Sequence, residues 1–374
     1  MATLKVTVNK LNVRKSPVLD FANKENIVGV LHKDAVFESV REITNGLGTW
    51  HVGKEGYCVW EKGVGEALSF LGMSNFLSRD IKVGESESNL GWGLQSLSIK
   101  NFWQAAGNKG ENITIAILDT GISSIHPEFD FTNITRINVL NGDNVAEDTN
   151  GHGSHVAGII GAQGKKVTGA SPKAKLLIIK IAETIESWDI DNVVKGVQHA
   201  IDARADIISI SGEFSELDTK IEILRKKITE ATAKGIITIA SAGNNFNDFP
   251  VESYPAAFDE CVSVGSIKQD GTRADSSSHS TKLDVVSPGE EIYSTWLGIN
   301  YHVESGTSMA TPLVSGIVAV IKSFAKTKLS RNLTPSEIQI ILNKSADDVG
   351  THGFDTSYGF GIINPSKALK MLTP

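Results

Sequence analysis

The sequence predicts an α/β protein, with a doubly wound, mostly parallel sheet over residues 90–374 and a small all-β barrel over residues 1–66 ahead of it. Three observations carry this. Beyond about Leu90, short apolar runs alternate with helical patterns, as a sheet covered on both faces requires. Before Glu66 the chain shows only short strand-like runs broken by turn residues, with no helical period. Late in the chain, Leu313 to Ile321 is apolar on nearly every side and reads as a buried helix.

The N-terminal strands are expected at Lys5 to Val8, Ile27 to Leu31, Val36 to Val40, Trp50 to Val52 and Tyr57 to Trp60. Residues 67–89 form a connector. Its first half, Leu68 to Leu77, is too apolar for a free linker and should dock on a neighbour, as a segment that occludes a cleft or as padding for the barrel. In the long domain, Ile113 to Leu118, Leu176 to Ile181, Ile207 to Ile210 and Ile236 to Ala240 read as buried parallel strands. Asn192 to Ile201 and the stretch from Lys220 onward read as amphipathic helices. Thr334-Pro335-Ser336-Glu337 is a capping box with proline at the first helical position, and it launches a further helix. Pro312 is tolerable only in the first turn of its helix, so that helix should begin at Thr307 or Ser308.

Composition sets broad limits. The 374 residues are 40% hydrophobic with a formal net charge of −7, enough for a large core and without the basic footprint of a nucleic-acid binder. No apolar run reaches the roughly 20 residues needed to cross a bilayer, so no membrane partner is expected. Cys58 and Cys261 fall in different predicted domains and read as two buried thiols. The start lacks the pattern of a signal peptide, which points to a cytoplasmic protein unless a leader has been removed.

The chemistry gathers at four places. Gly306-Thr307-Ser308-Met309-Ala310 puts a hydroxyl at a helix N-terminus, where free N–H groups and the helix dipole suit a developing oxyanion. Ser308 could equally be a helix cap. The strand ending at Asp119-Thr120-Gly121 offers a carboxylate, and Asn150-Gly151-His152-Gly153-Ser154-His155 opens an apolar helix with a histidine. A nucleophilic serine needs such a base, and the base needs such a carboxylate. Ser241-Ala242-Gly243-Asn244 adds an amide donor at a strand end. Asp119-Thr120-Gly121 would also fit an aspartic protease, but its only candidate second copy, Asp355-Thr356-Ser357, does not follow an apolar strand.

These four motifs, together with His126-Pro127-Glu128, resemble the subtilisin-type serine proteases, the subtilases, from about Leu90 to the C-terminus. The resemblance implies an endopeptidase with Ser308 as nucleophile, His152 as base and then acid, Asp119 orienting His152, and Asn244 with the Ser308 N–H as the oxyanion site, acting on polypeptides without a cofactor. His155, one turn on, reads as a hydrogen-bonded core histidine. The family's substrate edge corresponds to Ser211-Gly212-Glu213-Phe214, where Glu213 and Phe214 replace small residues. Ser253 falls at the base of the primary pocket, and Trp188 lies in the opposite edge segment. The family's calcium loop corresponds to Gly161 to Gly169, which is shorter and carries Lys165 and Lys166, so that metal site should be missing. The family's histidine after Ser-Pro is Leu313 here. Leu11-Asn12-Val13-Arg14-Lys15-Ser16-Pro17 and Gly56-Tyr57-Cys58-Val59-Trp60 resemble the two ends of a bacterial Src-homology-three-like barrel, and Trp50, Tyr57 and Trp60 could bind a peptide or protein ligand or simply form its core. Two rival readings are a catalytically silent module that kept the fold, and a peptidase targeted to the cell wall by its barrel.

Overall fold

A computed structural model describes residues 89–215, 218–245 and 250–373 in full, and the backbone of eight strand segments between Ala2 and Glu66. The chain divides into two compact units, residues 1–83 and 84–374. In the first unit, Ala2–Val6 pairs with Val36–Ser39 and Val64–Glu66, while Lys10–Arg14, Ile27–His32, Arg41–Asn45, Gly48–Val52 and Cys58–Trp60 form a second antiparallel sheet. The connector up to residue 88, the loops of the expected barrel and the side chains of Trp50, Tyr57, Cys58 and Trp60 lie outside the described residues.

The second unit opens with α1 (Trp92–Ser96) and α2 (Ile99–Ala106). There follow β1 (Thr114–Asp119), β2 (Ile134–Asn138), α3 (His152–Gly161), β3 (Lys175–Lys180), α4 (Ile190–Asp202), β4 (Ile207–Ile210) and β5 (Phe214–Ser215). Then come α5 (Ile221–Ala233), β6 (Ile237–Ser241), β7 (Ser253–Tyr254), β8 (Cys261–Ile267) and β9 (Val285–Pro288). The unit closes with the hairpin β10 (Ile292–Thr295) and β11 (Tyr301–Glu304), then α6 (Thr307–Lys328), α7 (Pro335–Ser345) and α8 (Pro365–Lys370). Seven strands make one parallel sheet in the order β2-β3-β1-β4-β6-β8-β9.

Strand alternation decides what each face meets. Ile115 and Ile117 of β1 lie in one buried cluster with Val156 and Ile160 of α3 and Val314, Ile317 and Ile321 of α6. Ala116 and Leu118, pointing the other way, join Val193 and Val197 of α4 and Leu224 and Ile228 of α5. Both faces of the sheet are therefore covered by helices, which is why the parallel strands read as continuous apolar runs. In the second unit the expected strands and helices are present within one or two residues of their predicted ends, whereas the first expected strand, Lys5 to Val8, lies earlier, at Ala2–Val6. Strands β2, β8 and β9 and the β10–β11 hairpin were not legible, because polar residues interrupt their apolar pattern.

The expected capping box is formed: Thr334 Oγ1 accepts from Glu337 N at 3.2 Å and the Glu337 carboxylate accepts from Thr334 N at 2.9 Å. Two other expectations need correction. The Thr307–Lys328 helix is long and apolar enough to span a bilayer, but 94% of its most apolar window is buried inside the unit, so that apolarity serves a core. And Pro312 is the sixth residue of α6, not a first-turn residue. Its missing N–H frees the carbonyl four residues back, which is that of Ser308, and the Ser211 hydroxyl donates to this carbonyl at 3.0 Å. Cys261 is a buried free thiol. Leu313 is buried in the same cluster as the rest of α6.

Candidate active site

The carboxyl ends of β1, β4 and β6 and the N-termini of α3 and α6 meet beside the point where the strand order reverses, the usual place for a site in an open α/β sheet. Asp119 ends β1, is fully buried, and stands against His152, the first residue of α3. His152 Nδ1 lies 2.8 Å from Asp119 Oδ1 and 3.0 Å from Oδ2. A carboxylate accepts only, so Nδ1 carries the proton and Nε2 is the free basic nitrogen. Burial by itself would lower the pKa of His152. The charge and hydrogen bond of Asp119, followed by the carboxylates of Glu304 and Asp148, outweigh that and hold it above its ordinary value.

The turn that launches His152 is held by Asp148, which the sequence did not single out. Its buried carboxylate accepts from the N–H groups of Asn150 and Gly151 at 2.9 Å and of Ser154 at 2.8 Å. It also accepts from the hydroxyls of Thr120 at 2.9 Å and Ser154 at 2.7 Å. Burial would raise its pKa, yet these donors, led by Gly151 N–H and the Ser154 hydroxyl, hold it below the usual carboxylate value. The available signal was an aspartate just ahead of a helix start, a capping pattern. His155 is the expected core histidine: Nε2 faces the carbonyl oxygens of Ile292 at 3.0 Å and His302 at 3.2 Å, and burial pushes its pKa down to about 3.

Ser308 is the second residue of α6, and its hydroxyl donates to the Ser211 carbonyl at 3.1 Å. Among the described residues no hydrogen bond joins Ser308 Oγ to His152, and none is made by the Ser308 N–H. Asn244 follows β6. Its side-chain oxygen accepts from Thr307 N at 3.0 Å and from Thr307 Oγ1 at 3.3 Å. Those donors identify the oxygen side of the amide, so the NH₂ is turned away from Thr307 and has no described partner.

The expected rim residues also come together. Gly212 sits under the Trp188 ring, where a side chain at 212 would collide with the indole. Ser241 Oγ donates to the Gly212 carbonyl at 3.2 Å. Ser253 Oγ donates to Glu213 Oε2 at 2.5 Å, and Asn244 N donates to Glu213 Oε1 at 3.4 Å. Strands β5 and β7 pair beside them, Phe214 opposite Tyr254 and Ser215 opposite Ser253. Asp355 accepts from the N–H groups of Thr351, Ser357 and Tyr358 and so closes its own turn.

The loop from Gly161 to Gly169 is held by one protein donor, the Asn89 amide, and one protein acceptor, the Glu128 carboxylate. The Asn89 amide donates to the carbonyls of Gly164 and, at 2.9 Å, Lys165. The buried Glu128 carboxylate accepts from Lys165 N at 2.8 Å, from Lys166 N, from Val167 N at 3.2 Å and from the Tyr301 hydroxyl at 3.0 Å. The Lys166 ammonium lies over the Tyr301 ring, 5.1 Å from its centre. Among the described residues no three His, Cys, Asp or Glu side chains group as metal ligands.

Residues 110–361 match the sequence profile described as the Subtilase family. An intracellular serine protease of Paenibacillus polymyxa is 34% identical over 279 residues, which is 72% of this chain and 84% of that protein. The major intracellular serine protease of Bacillus subtilis (strain 168) is 35% identical over 257 residues, 66% of this chain and 79% of that one. The minor extracellular protease Epr of the same organism is 33% identical over 277 residues, 73% of this chain and 40% of Epr.

Proposed function

The chain belongs to the subtilase family and is a subtilisin-type serine endopeptidase, and from that premise we propose that Asp119, His152 and Ser308 form its catalytic triad, with Asn244 Nδ2 and the Ser308 N–H as its oxyanion site. The observation that carries the reading is the His152 Nδ1 contact with Asp119 at 2.8 Å, which leaves Nε2 free to act as the base. Its substrates are polypeptides. Relatives named as intracellular and as extracellular are both at hand, so membership is compatible with either compartment.

In the reaction, His152 Nε2 takes the Ser308 proton as Oγ attacks the scissile carbonyl carbon, and returns it to the leaving amine; Asp119 holds the tautomer and stabilises the imidazolium. The oxyanion forms between Asn244 Nδ2 and Ser308 N–H. The Ser308 hydroxyl bonded to the Ser211 carbonyl fits this sequence of events. A substrate strand pairing with the Ser211–Glu213 edge brings its own N–H to that carbonyl, which frees Oγ to turn toward His152. The roles of Ser211, Gly212, Glu213, Ser253 and Trp188 as substrate contacts belong to the same proposal, as does the division into an N-terminal barrel, a connector and a catalytic domain.

A fluorophosphonate probe tests the assignment. It should label the protein once, at Ser308, and labelling should require neutral His152. A tryptic map that places the adduct elsewhere would overturn the triad.

A further inference from the structure

We propose that Glu213 is the specificity-determining residue of the cleft and that the enzyme cleaves after lysine or arginine. This rests on the assignment of Ser308 and Asn244 above. In this proposal, with the scissile carbonyl on Ser308 and its oxygen toward Asn244, the side chain of the residue that contributes that carbonyl runs between the Ser211–Glu213 segment and the Ala242–Asn244 segment, which both bond to the start of α6. The two segments are joined across that space by the Glu213 carboxylate. Oε2 receives the Ser253 hydroxyl at 2.5 Å and Oε1 the Asn244 N–H at 3.4 Å.

The carboxylate is built into the wall. It lies against the α-carbon of Gly243, where an added Cβ would strike Glu213 Oε2 and the hydroxyls of Ser253 and Ser278, and where the backbone φ of 101° also favours glycine. Glu213 itself stays exposed, so a substrate can reach it. Two hydrogen bonds leave half of the lone-pair positions of an ionised carboxylate open. Among the described residues no lysine, arginine or histidine pairs with it, and its described partners are the Ser253 hydroxyl and the Asn244 amide. The neighbouring stretches 216–217 and 246–249 contain no basic residue in the sequence. A negative group held in place, exposed, and without a cation among the described residues is completed by the ammonium or guanidinium of a substrate.

The test uses the full-length protein and fluorogenic peptides that differ only in the residue before the scissile bond: lysine, arginine, leucine, phenylalanine, glutamine or glutamate. The wild type should show the highest kcat/KM on lysine and arginine. Glu213→Gln should shrink the ratio of lysine to leucine by roughly 10- to 100-fold, the scale of one charged hydrogen-bonded contact, and Glu213→Lys should turn the preference toward acidic residues. A wild type that prefers leucine or phenylalanine, or a Glu213→Gln ratio equal to wild type, would overturn the proposal while fluorophosphonate labelling at Ser308 keeps the triad intact. A Glu213→Gly variant that gains on phenylalanine without losing on lysine would show that Glu213 only fills the space, and would overturn it too. Failure of Ser308 to label would instead bring down the catalytic assignment on which it rests.

Discussion

Two helices begin in the cleft, and their first turns are finished in opposite ways. At the start of α3 a buried carboxylate, Asp148, accepts from three backbone N–H groups and two hydroxyls, so the positive end of that helix is filled from within the protein. At the start of α6 only Thr307 N–H is bound by a side chain, the Asn244 oxygen, and Met309 N–H returns to the Gly306 carbonyl. The Ser308 N–H has no described partner. One helix end is filled by a carboxylate beside a histidine; the other leaves a backbone N–H open, where the proposed reaction would place its oxyanion. A carboxylate of its own at the second position would compete with the oxyanion, whereas at the first it lets an imidazolium form beside a helix N-terminus.

Substitutions at the two ends should therefore separate. Ser308→Ala should remove peptide hydrolysis by on the order of 10⁴- to 10⁶-fold, with loss of fluorophosphonate labelling and a Tm close to wild type, because Ser308 makes no capping hydrogen bond. Measurable turnover at an unchanged rate would mean the open helix end is not the reaction centre. Asn244→Ala should lower kcat by about 10²- to 10³-fold with little change in KM. Steady-state kinetics that show the loss in KM alone would assign Asn244 to ground-state binding.

At the filled end the prediction is one of stability as well as rate. Asp148→Ala strands five donors and should destabilise the protein by about 2–4 kcal/mol, with a lower kcat as His152 loosens. Denaturant unfolding against a Thr351→Ala control would measure it. Because the folded pKa of Asp148 is depressed, its contribution is present above the unfolded carboxylate value of about 3.9 and is lost as pH falls through its lower folded value. Activity fails earlier on acidification. As the proposed base, His152 must be neutral, and Asp119 and Glu304 hold its pKa above its ordinary value of about 6.5, so kcat/KM should fall while the protein is still folded, with a midpoint above that ordinary value. A midpoint below 6.5 on a good substrate would say that Asp119 and Glu304 do not control this histidine. The smallest effect is expected from chelation. The Asn89 amide and the Glu128 carboxylate already engage the Gly161–Gly169 loop, so EDTA should leave Tm and activity nearly unchanged. A large fall reversed by calcium would reveal a metal site.

Much of the candidate site could be read from local sequence because each of its proposed groups sits where one element ends or begins. Apolar strands that stop at Asp119 and shortly before Asn244, and apolar helices that open at His152 and Ser308, are one-dimensional signals. They follow from the need to bury Ile115, Leu118, Val156 and Ile317 and to end each element in polar residues. The capping box at Thr334 was legible for the same reason, since all its partners lie within three positions.

Tertiary structure decided everything that depends on a side chain crossing from one segment to another. That Pro312 frees the carbonyl of Ser308 is local, but that Ser211 supplies the missing donor depends on two residues 97 positions apart. Glu213 was visible as an unusual rim residue; its hydrogen bond to Ser253, 40 positions away, turned it from a departure into a placed charge. Asp148 carries no distinguishing mark in the sequence beyond its position ahead of a helix start; its place depends on Thr120, 28 positions earlier, whose hydroxyl donates to it. The physical reason is common to all three. Backbone periodicity and capping act over one or two turns, whereas a charge takes its meaning from the donors and the open space around it, and those are assembled only when the strands are laid side by side.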